Sequence, residues 1–125
     1  MDLGIAGRRA IVCASSKGLG RACAEALARE GVAVTLNGRD GAALDAAATA
    51  IRDATGASVR AVAGDITNEA TRSALIAACP DADILVNNAG GPPPGDFRHW
   101  SIDDWHRALD ANMLAPIAMI GLVLD

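Results

Sequence analysis

Tyrosine is absent from this 125-residue chain, and its only other aromatic residues are one phenylalanine and two tryptophans. Lys17 is the only lysine. Within residues 1–125, these absences exclude acid–base chemistry that needs a tyrosine phenol or a second lysine amine. The three cysteines lack the close pairing of a zinc site, and two separated histidines, His99 and His106, add no ligand pattern. We therefore predict no metal site and no disulfide framework.

Long apolar runs are also missing. The longest late stretch, 111–124, is interrupted by Asn112 and Pro116 and is too short to cross a bilayer. Acidic residues outnumber basic ones by 15 to 11, and the arginines are scattered rather than gathered into a basic stripe. We therefore expect neither a membrane nor a nucleic acid as partner. A reduced, cytoplasmic protein fits the cysteine usage best.

A regular alternation of short apolar runs and longer amphipathic segments dominates the chain and is typical of βαβ units around a parallel sheet. With 51% hydrophobic residues, it predicts a single α/β domain over residues 1–125. The predicted strands are 10–14, 32–36, 59–63 and 84–87. The first predicted helix follows residue 18. The second spans about 41–55 after an Asp40 cap, the third spans about 68–79 after a Thr67 cap, and the last begins at Ser101. Residues 90–95, rich in glycine and proline, predict a loop.

Helical spacing in the first predicted helix places one apolar set on a common face. That set comprises Leu19, Ala22, Cys23, Ala26 and Leu27. We expect the three cysteines to be buried packing residues. For Phe97, Trp100 and Trp105 a core position is favoured, with a substrate mouth or an interface as the alternative.

A glycine turn follows the first strand, where Gly18-Leu19-Gly20 opens a helix. Glycines without side chains let backbone amides approach a pyrophosphate at the positive helix N-terminus. The third glycine of the usual dinucleotide fingerprint is replaced by Cys23. Taken alone, the turn is a weak signal for a nucleotide site.

The second strand ends in Asn37-Gly38-Arg39, where dinucleotide enzymes that bind a free ribose carry an acid. No carboxylate stands at Asn37 or Gly38. Arg39 and Lys17 would instead bring two cations to the adenosine ribose, an arrangement that suits a 2′-phosphate. The pattern favours NADP over NAD, the alternative being that both residues are solvated surface cations.

Two further motifs follow the third and fourth strands, Asp65-Ile66 and Asn87-Asn88-Ala89-Gly90. With residues 13–20 in the place of the motif T-G-x-x-x-G-x-G, the chain resembles the N-terminal half of a short-chain dehydrogenase/reductase. Within that family, the chain is most similar to members that resemble 3-oxoacyl-acyl-carrier-protein reductase. The resemblance implies a Rossmann-like parallel sheet in the order 3-2-1-4 with helices on both faces, truncated after the fourth strand and its helix.

The resemblance also assigns a cofactor site, to which we add the cations and neighbours named above. The predicted cofactor-binding residues are Ala14, Ser16, Lys17, Gly18, Leu19, Gly20, Asn37, Arg39, Asp65, Ile66, Asn88, Ala89 and Gly90. Cys13 and Ala14 depart from the Thr-Gly of the family motif. We expect the methyl group of Ala14 to narrow the turn without blocking it, provided that its backbone is not left-handed.

Asn112 interrupts an apolar stripe in the last helix, so we expect it to be buried or to face a site. Pro116 has no N–H, so the helix should bend where the carbonyl of Asn112 loses its donor. The resemblance implies a catalytic role for Asn112 and a water at this bend. The alternative is a packing kink with a satisfied core asparagine.

The resemblance implies an NADP-dependent oxidoreductase that acts on a carbonyl or alcohol substrate, with its cofactor-binding half represented here. Without the tyrosine and lysine of that family, we predict that residues 1–125 alone are inactive. An exposed strand edge and last helix would favour oligomers or other association. A non-catalytic dinucleotide-binding or regulatory module is the alternative, and a methyltransferase-like fold is disfavoured by residues 87–90.

Overall fold

Four parallel strands form one sheet in which their chain order is 3-2-1-4, and this confirms the predicted order. The structure is a computed structural model that describes residues 1–124. Its strands are β1 (Arg9–Val12), β2 (Ala33–Gly38), β3 (Val59–Ala63) and β4 (Ile84–Val86). Its helices are α1 (Gly18–Arg29), α2 (Gly41–Thr55), α3 (Glu69–Ala78), α4 (Ile102–Leu109) and α5 (Ala115–Val123). A 3-10 turn at Phe97–His99 precedes α4, and a π-helical turn at Asp110–Leu114 joins α4 to α5.

Strand ends differ from the prediction at the edge where the sheet meets its loops. β1 stops at Val12 rather than at residue 14, because Ala14 has a φ of 48° and leaves the extended conformation. β2 continues to Gly38, which pairs with Ala63 of β3. β4 ends at Val86, one residue earlier than predicted. The carboxyl edge is therefore built from loops that begin at once after short strands.

Side-chain caps begin two of the helices as predicted. The Asp40 carboxylate accepts a hydrogen bond of 3.1 Å from the backbone N–H of Ala43 at the start of α2. At α4, the Ser101 hydroxyl accepts from the N–H of Asp104, and the Asp104 carboxylate accepts from the N–H of Ser101. This reciprocal capping box fixes the start of the last helical region.

The predicted cap of α3 is wrong by one residue. Asn68, not Thr67, is the N-cap residue, and the helix begins at Glu69. The hydroxyl of Thr67 is engaged elsewhere, since it donates a hydrogen bond of 2.7 Å to Oδ1 of Asp65. Thr67 therefore belongs to the turn that holds Asp65, one residue before the N-cap position of α3.

The predicted buried face of α1 is wrong except at Leu27, which is half-buried and packs against the core. Leu19 is 82% exposed and Cys23 is exposed, whereas the buried residues are Gly20, Ala24 and Ala28. Gly20 faces the sheet because the start of α1 lies too close to the turn after β1 to admit a side chain at this position. A Cβ at residue 20 would collide with the carbonyl oxygen of Ala14.

The two faces of the sheet carry separate hydrophobic clusters. α1 and α2 cover one face together with alternate residues of the strands, such as Val12 and Leu36. α3 and α5 cover the other, where Ile11 packs with Leu75 and Met119. The alternation along β1 is that expected of a strand buried on both sides.

The aromatic residues are not core residues, contrary to the favoured prediction. Phe97 is 63% exposed and Trp105 is 40% exposed. Trp100 and Trp105 contact each other edge to face, with ring centroids 5.4 Å apart. They lie at the start of α4, whose side chains receive little cover from the sheet, so their surroundings are largely solvent. Within residues 1–124, no helix combines the length and the apolar character needed to span a membrane.

Candidate functional site

A cavity of about 660 Å³ opens at the carboxyl edge of the sheet. Its floor is formed by the loops that follow the four strands, and α4 with the π-helical turn forms one wall. All the predicted cofactor residues except Gly20 line it. The lining ones are Ala14, Ser16, Lys17, Gly18, Leu19, Asn37, Arg39, Asp65, Ile66, Asn88, Ala89 and Gly90. The structure thus brings together residues from separate strands at one site, as expected for a parallel sheet.

Gly20 lies beneath the cavity rather than in its wall. Besides colliding with the Ala14 carbonyl, a Cβ at residue 20 would lie 2.8 Å from Nδ2 of Asn88. Gly18, on the surface of the turn, has a φ of 60°, which disfavours any side chain. The two glycines therefore have different tasks, close packing for Gly20 and a left-handed backbone for Gly18.

Ala14 does not meet the condition on which its tolerance was predicted, because its φ of 48° is left-handed. An L-residue in this conformation costs about 1–2 kcal/mol. The carbonyl of Ala14 accepts a hydrogen bond of 3.1 Å from Nδ2 of Asn88, which holds the residue in place. The turn is therefore strained at a residue that lines the cavity.

The N-terminus of α1 has no side-chain cap. Lys17 occupies the N-cap position in an extended conformation, and its side chain accepts no hydrogen bond from the helix. The first amides of a helix lack intrahelical acceptors and attract anions. Because this helix end faces the cavity, those amides remain available to a phosphate.

Lys17 and Arg39 are both exposed and both line the cavity. Within residues 1–124, neither side chain takes part in an ion pair or a hydrogen bond. The other exposed arginines of this part of the chain include several that are paired, such as Arg29 with Glu25. The two cavity cations therefore keep their hydrogen-bonding capacity for a ligand.

Asp65 is organised by its neighbour Thr67. Its Oδ1 accepts hydrogen bonds from the backbone N–H of Thr67 at 2.9 Å and from its hydroxyl at 2.7 Å. These bonds, and to a lesser extent the nearby charge of Arg39, lower the pKa of the Asp65 carboxyl. Asp65 therefore presents a fixed, ionised carboxylate at the end of β3.

Asn37 lines the cavity, but its amide is engaged in the fold. Nδ2 donates to the carbonyls of Val62 and Gly64, each at 3.1 Å. Ser15, absent from the predicted site, is fully buried beside it, and the Ser15 N–H donates to the Asn37 carbonyl at 2.8 Å. The signal for Ser15 was its place inside the glycine turn, where a hydroxyl must find internal partners.

Cys13 and Asn88 join the turn to β4. Burial raises the pKa of the Cys13 thiol to about 11, and a hydrogen bond from the backbone N–H of Asn88 offsets part of the rise. Cys13 is 1% exposed, as predicted for a packing residue. Its thiol is therefore protonated at neutral pH and has a structural rather than a chemical place here.

The wall contributed by α4 was missed by sequence reasoning. It consists of Asp104, Arg107, Ala108, Asp110 and Ala111, with residues 91–93 beside it. Arg107 forms an ion pair with Asp104, whose carboxyl has a lowered pKa chiefly because the Ser101 backbone and hydroxyl hydrogen bond to it. These residues carry no local motif, so only their position on a helix that returns over the loops could have indicated them.

Asn112 lies next to that wall but does not line the cavity. The expectation that it is buried is wrong, because the residue is exposed, as are Ile102, Trp105 and Leu109 of the same stripe. Nδ2 of Asn112 donates to the Ala108 carbonyl at 3.0 Å. The predicted irregularity before Pro116 is present as the π-helical turn Asp110–Leu114.

Comparison with known proteins gives a consistent family. The sequence model described as short chain dehydrogenase matches residues 8–125. The uncharacterized oxidoreductase YvaG of Bacillus subtilis is 32% identical over 120 residues, which are 95% of this chain and 46% of the relative. The 3-oxoacyl-acyl-carrier-protein reductase FabG of Aquifex aeolicus is 31% identical over 117 residues, 90% of this chain and 47% of the relative.

Among solved structures, the L-sorbose reductase of Gluconobacter frateurii complexed with NADPH and L-sorbose superposes with a TM-score of 0.89 at 30% identity. The match covers 98% of this chain and 48% of the reductase. The chain therefore spans about half the length of the relatives it matches.

Proposed function

The chain belongs to the short-chain dehydrogenase family of oxidoreductases, and from this premise we propose that residues 1–125 form one NADP-binding domain. The observation that carries the proposal is the pair Lys17 and Arg39, two unpaired cations in one cavity with an uncapped helix N-terminus. A 2′-phosphate carries the charge that these groups would stabilise. The NADPH bound to the similar L-sorbose reductase supports the same choice.

The residues present fit such a cofactor. A Cβ at Gly20 would fill the space that the turn needs, and Gly18 adopts the left-handed backbone that leaves the turn open. Backbone amides at the start of α1 would hold the pyrophosphate, and Lys17 with Arg39 would hold the 2′-phosphate. Asp65 and Ile66 would flank the adenine, while Asn88, Ala89 and Gly90 would line the path toward the nicotinamide.

Titration with NADPH and NADH tests the cofactor assignment. We expect tighter binding of NADPH, and the change Arg39→Ala should weaken NADPH binding by about 10-fold to 100-fold with little effect on NADH, because one charge-assisted contact is lost. Arg29→Ala is the matched control, since Arg29 is an exposed arginine paired with Glu25 outside the cavity. Equal affinities for the two cofactors would contradict the assignment.

We further propose that the protein acts on a small carbonyl or alcohol substrate. The bound nicotinamide would supply the hydride exchanged with the substrate carbon. Residues 1–125 contain no tyrosine and no lysine besides Lys17, so this polypeptide alone should show no turnover. An NADPH oxidation assay with the 125-residue chain and a panel of ketones checks this, and any turnover that scales with protein concentration would contradict it.

Asn112 is the residue we propose for a catalytic role. It lies in a π-helical turn, a distortion frequent at functional sites, directly after two residues of the cavity wall. In the complete enzyme, Asn112→Ala should lower kcat while leaving the NADPH dissociation constant unchanged. A variant with wild-type kcat would leave Asn112 as a structural residue of the bend.

We also propose that the last helical region is an association surface and that the protein works in the cytoplasm. Apolar side chains on α4 and α5 are substantially exposed, including Ile102 at 69% and Ile117 at 60%. Exposed apolar side chains of this kind favour contact with further protein. Sedimentation over a range of concentrations tests association, with a monomer at all concentrations as the opposing result.

A further inference from the structure

Asn37 is the next-to-last residue of β2 and lines the cavity, and we propose that it is the positioning residue that sets the adenosine side of this site. It is 2% exposed, and its two amide hydrogens are both used, in bonds to the Val62 and Gly64 carbonyls. Because both hydrogens are engaged, the side chain acts on the cavity indirectly, through the end of β3 and the loop that follows it. The inference rests on the proposed function, because it assigns a role within that binding site.

One arm of this arrangement reaches the loop after β3. Nδ2 of Asn37 holds the Gly64 carbonyl, and the Gly64 N–H donates to the Gly38 carbonyl at 2.9 Å. Gly64 has a φ of 150°, and a Cβ there would lie 2.9 Å from Cγ2 of Thr71. Because Asp65 is the next residue, these bonds fix where its carboxylate enters the cavity.

The other arm reaches the glycine turn. The backbone N–H of Asn37 donates to Oγ of Ser15 at 3.1 Å, and the Ser15 hydroxyl donates to the Val12 carbonyl at 2.8 Å. The N–H of Ser15 donates in return to the Asn37 carbonyl. Ser15 follows the strained Ala14 directly, so the turn that carries Lys17 is tied to β2 through Asn37.

The bonds of the glycine-turn arm are buried and those of the β3 arm are partly buried, so neither loop can shift without breaking hydrogen bonds that are at least partly shielded from water. Asn37 thus sets the separation between the turn of Lys17, the strand end that leads to Arg39, and Asp65. A ligand that bridges these groups binds well only when that separation is kept.

The test measures binding of 2′,5′-ADP, which carries the adenosine and 2′-phosphate parts of the proposed cofactor. The change Asn37→Leu keeps the branched shape and the number of side-chain heavy atoms and removes the amide without adding charge, and we expect at least a 10-fold weaker dissociation constant. Thr35→Val is the control, since Thr35 is also a buried polar residue of β2 but lies outside the cavity. It should leave 2′,5′-ADP binding within 2-fold of wild type.

Ser15→Ala provides a milder variant in case Asn37→Leu does not fold. It removes the hydroxyl of one arm only, and we expect a 3-fold to 10-fold loss of affinity. Wild-type affinity in a folded Asn37→Leu or Ser15→Ala variant would overturn the positioning role. If wild type itself does not bind 2′,5′-ADP, the proposed function fails instead.

Amide hydrogen exchange decides the positioning role without any ligand. In Asn37→Leu, which removes only the side-chain bonds to Val62 and Gly64, exchange should accelerate at least 10-fold in the segment 64–67. In Ser15→Ala it should accelerate at least 10-fold in the segment 15–18, and in both variants α2 should remain unchanged. Thr35→Val should not affect those two segments. Uniform acceleration across the protein would indicate general destabilisation and overturn the inference, as would no change.

Discussion

The floor of the cavity and the last helical region are built in opposite ways. In the floor, residues 13–20 are tied to neighbouring loops by short polar side chains, and Ser15 is completely buried. In the last region, α4 is held at its start by the Ser101 capping box, yet its apolar side chains face outward. Leu109 is 44% exposed and Met113 is 47% exposed.

This difference shows where contacts within residues 1–124 determine the conformation. The buried residues of the floor, such as Ser15 and Gly20, contact other strands or loops, so a single added methyl group has consequences there. In the last helical region, Met119 and Ala115 are buried whereas their outward neighbours meet only solvent in the described part of the chain. Substitutions in the two regions should therefore differ in effect even when they are chemically alike.

Matched glycine substitutions give the largest expected effect. Gly20→Ala should lower the free energy of unfolding by about 3 kcal/mol, because its Cβ collides with the Ala14 backbone. Gly121→Ala in α5 meets no atom within 4 Å and should raise it by about 0.5–1 kcal/mol through helix propensity. Urea unfolding of both variants measures the contrast, and similar values would remove the distinction between the regions.

The strain at Ala14 gives the next effect. Ala14→Gly should stabilise the fold by about 1 kcal/mol, since glycine adopts the left-handed φ of 48° without the penalty of a side chain. The same change at the exposed Ala46 of α2 should destabilise by about 0.5–1 kcal/mol. Thermal and urea unfolding would show the two opposite signs, and destabilisation by Ala14→Gly would argue against a strained turn.

Polar substitution in the last helical region should have a smaller effect on folding. Leu109→Gln should change the free energy of unfolding by no more than about 0.5 kcal/mol, because nearly half of the residue's surface is already exposed. Because it replaces an apolar side chain of the proposed association surface, Leu109→Gln should also reduce self-association at high protein concentration. A loss of several kcal/mol would mean that α4 is buried in solution, and the contrast between the two regions would then disappear.

Acidification should have the smallest effect, and it should be similar in both regions. The pKa values of Asp65 in the floor and Asp104 in α4 are both lowered, mainly by hydrogen bonds from Thr67 and Ser101 respectively. A lowered folded-state pKa stabilises above the unfolded value of about 3.9, and this contribution is lost as the pH falls through the folded value. Asp65→Asn and Asp104→Asn should each flatten the fall of Tm between pH 5 and pH 3, and unchanged slopes would contradict these assignments.

The sequence predicts the floor well because its chemistry is local. Glycines at 18 and 20, Asp65, and Asn88 to Gly90 stand directly after strands, and parallel strands deliver their carboxyl ends to one edge. The α2 boundaries follow equally well from Asp40 and Gly56, whose cap geometries need only neighbouring residues.

What the sequence does not predict depends on contacts between distant residues. Helical spacing alone selected Leu19 and Cys23 for the buried face of α1, but close approach of the turn admits only the small residues such as Gly20. The same spacing led us to expect a buried Asn112, although nothing in the described residues covers that side of the helix. The left-handed Ala14 could not be read from its type, since alanine ordinarily avoids that backbone.

Cys23 offers an experimental consequence of the way α1 packs. Cys13 and Cys79 are buried and their thiol pKa values are raised, whereas Cys23 is exposed one to two turns beyond the N-terminal end of α1, which lies at the cavity. A maleimide fluorophore should therefore attach at this one position without any mutation. The unaltered sequence thus carries its own reporter group for ligand binding, and its emission can follow each variant above in a single titration format.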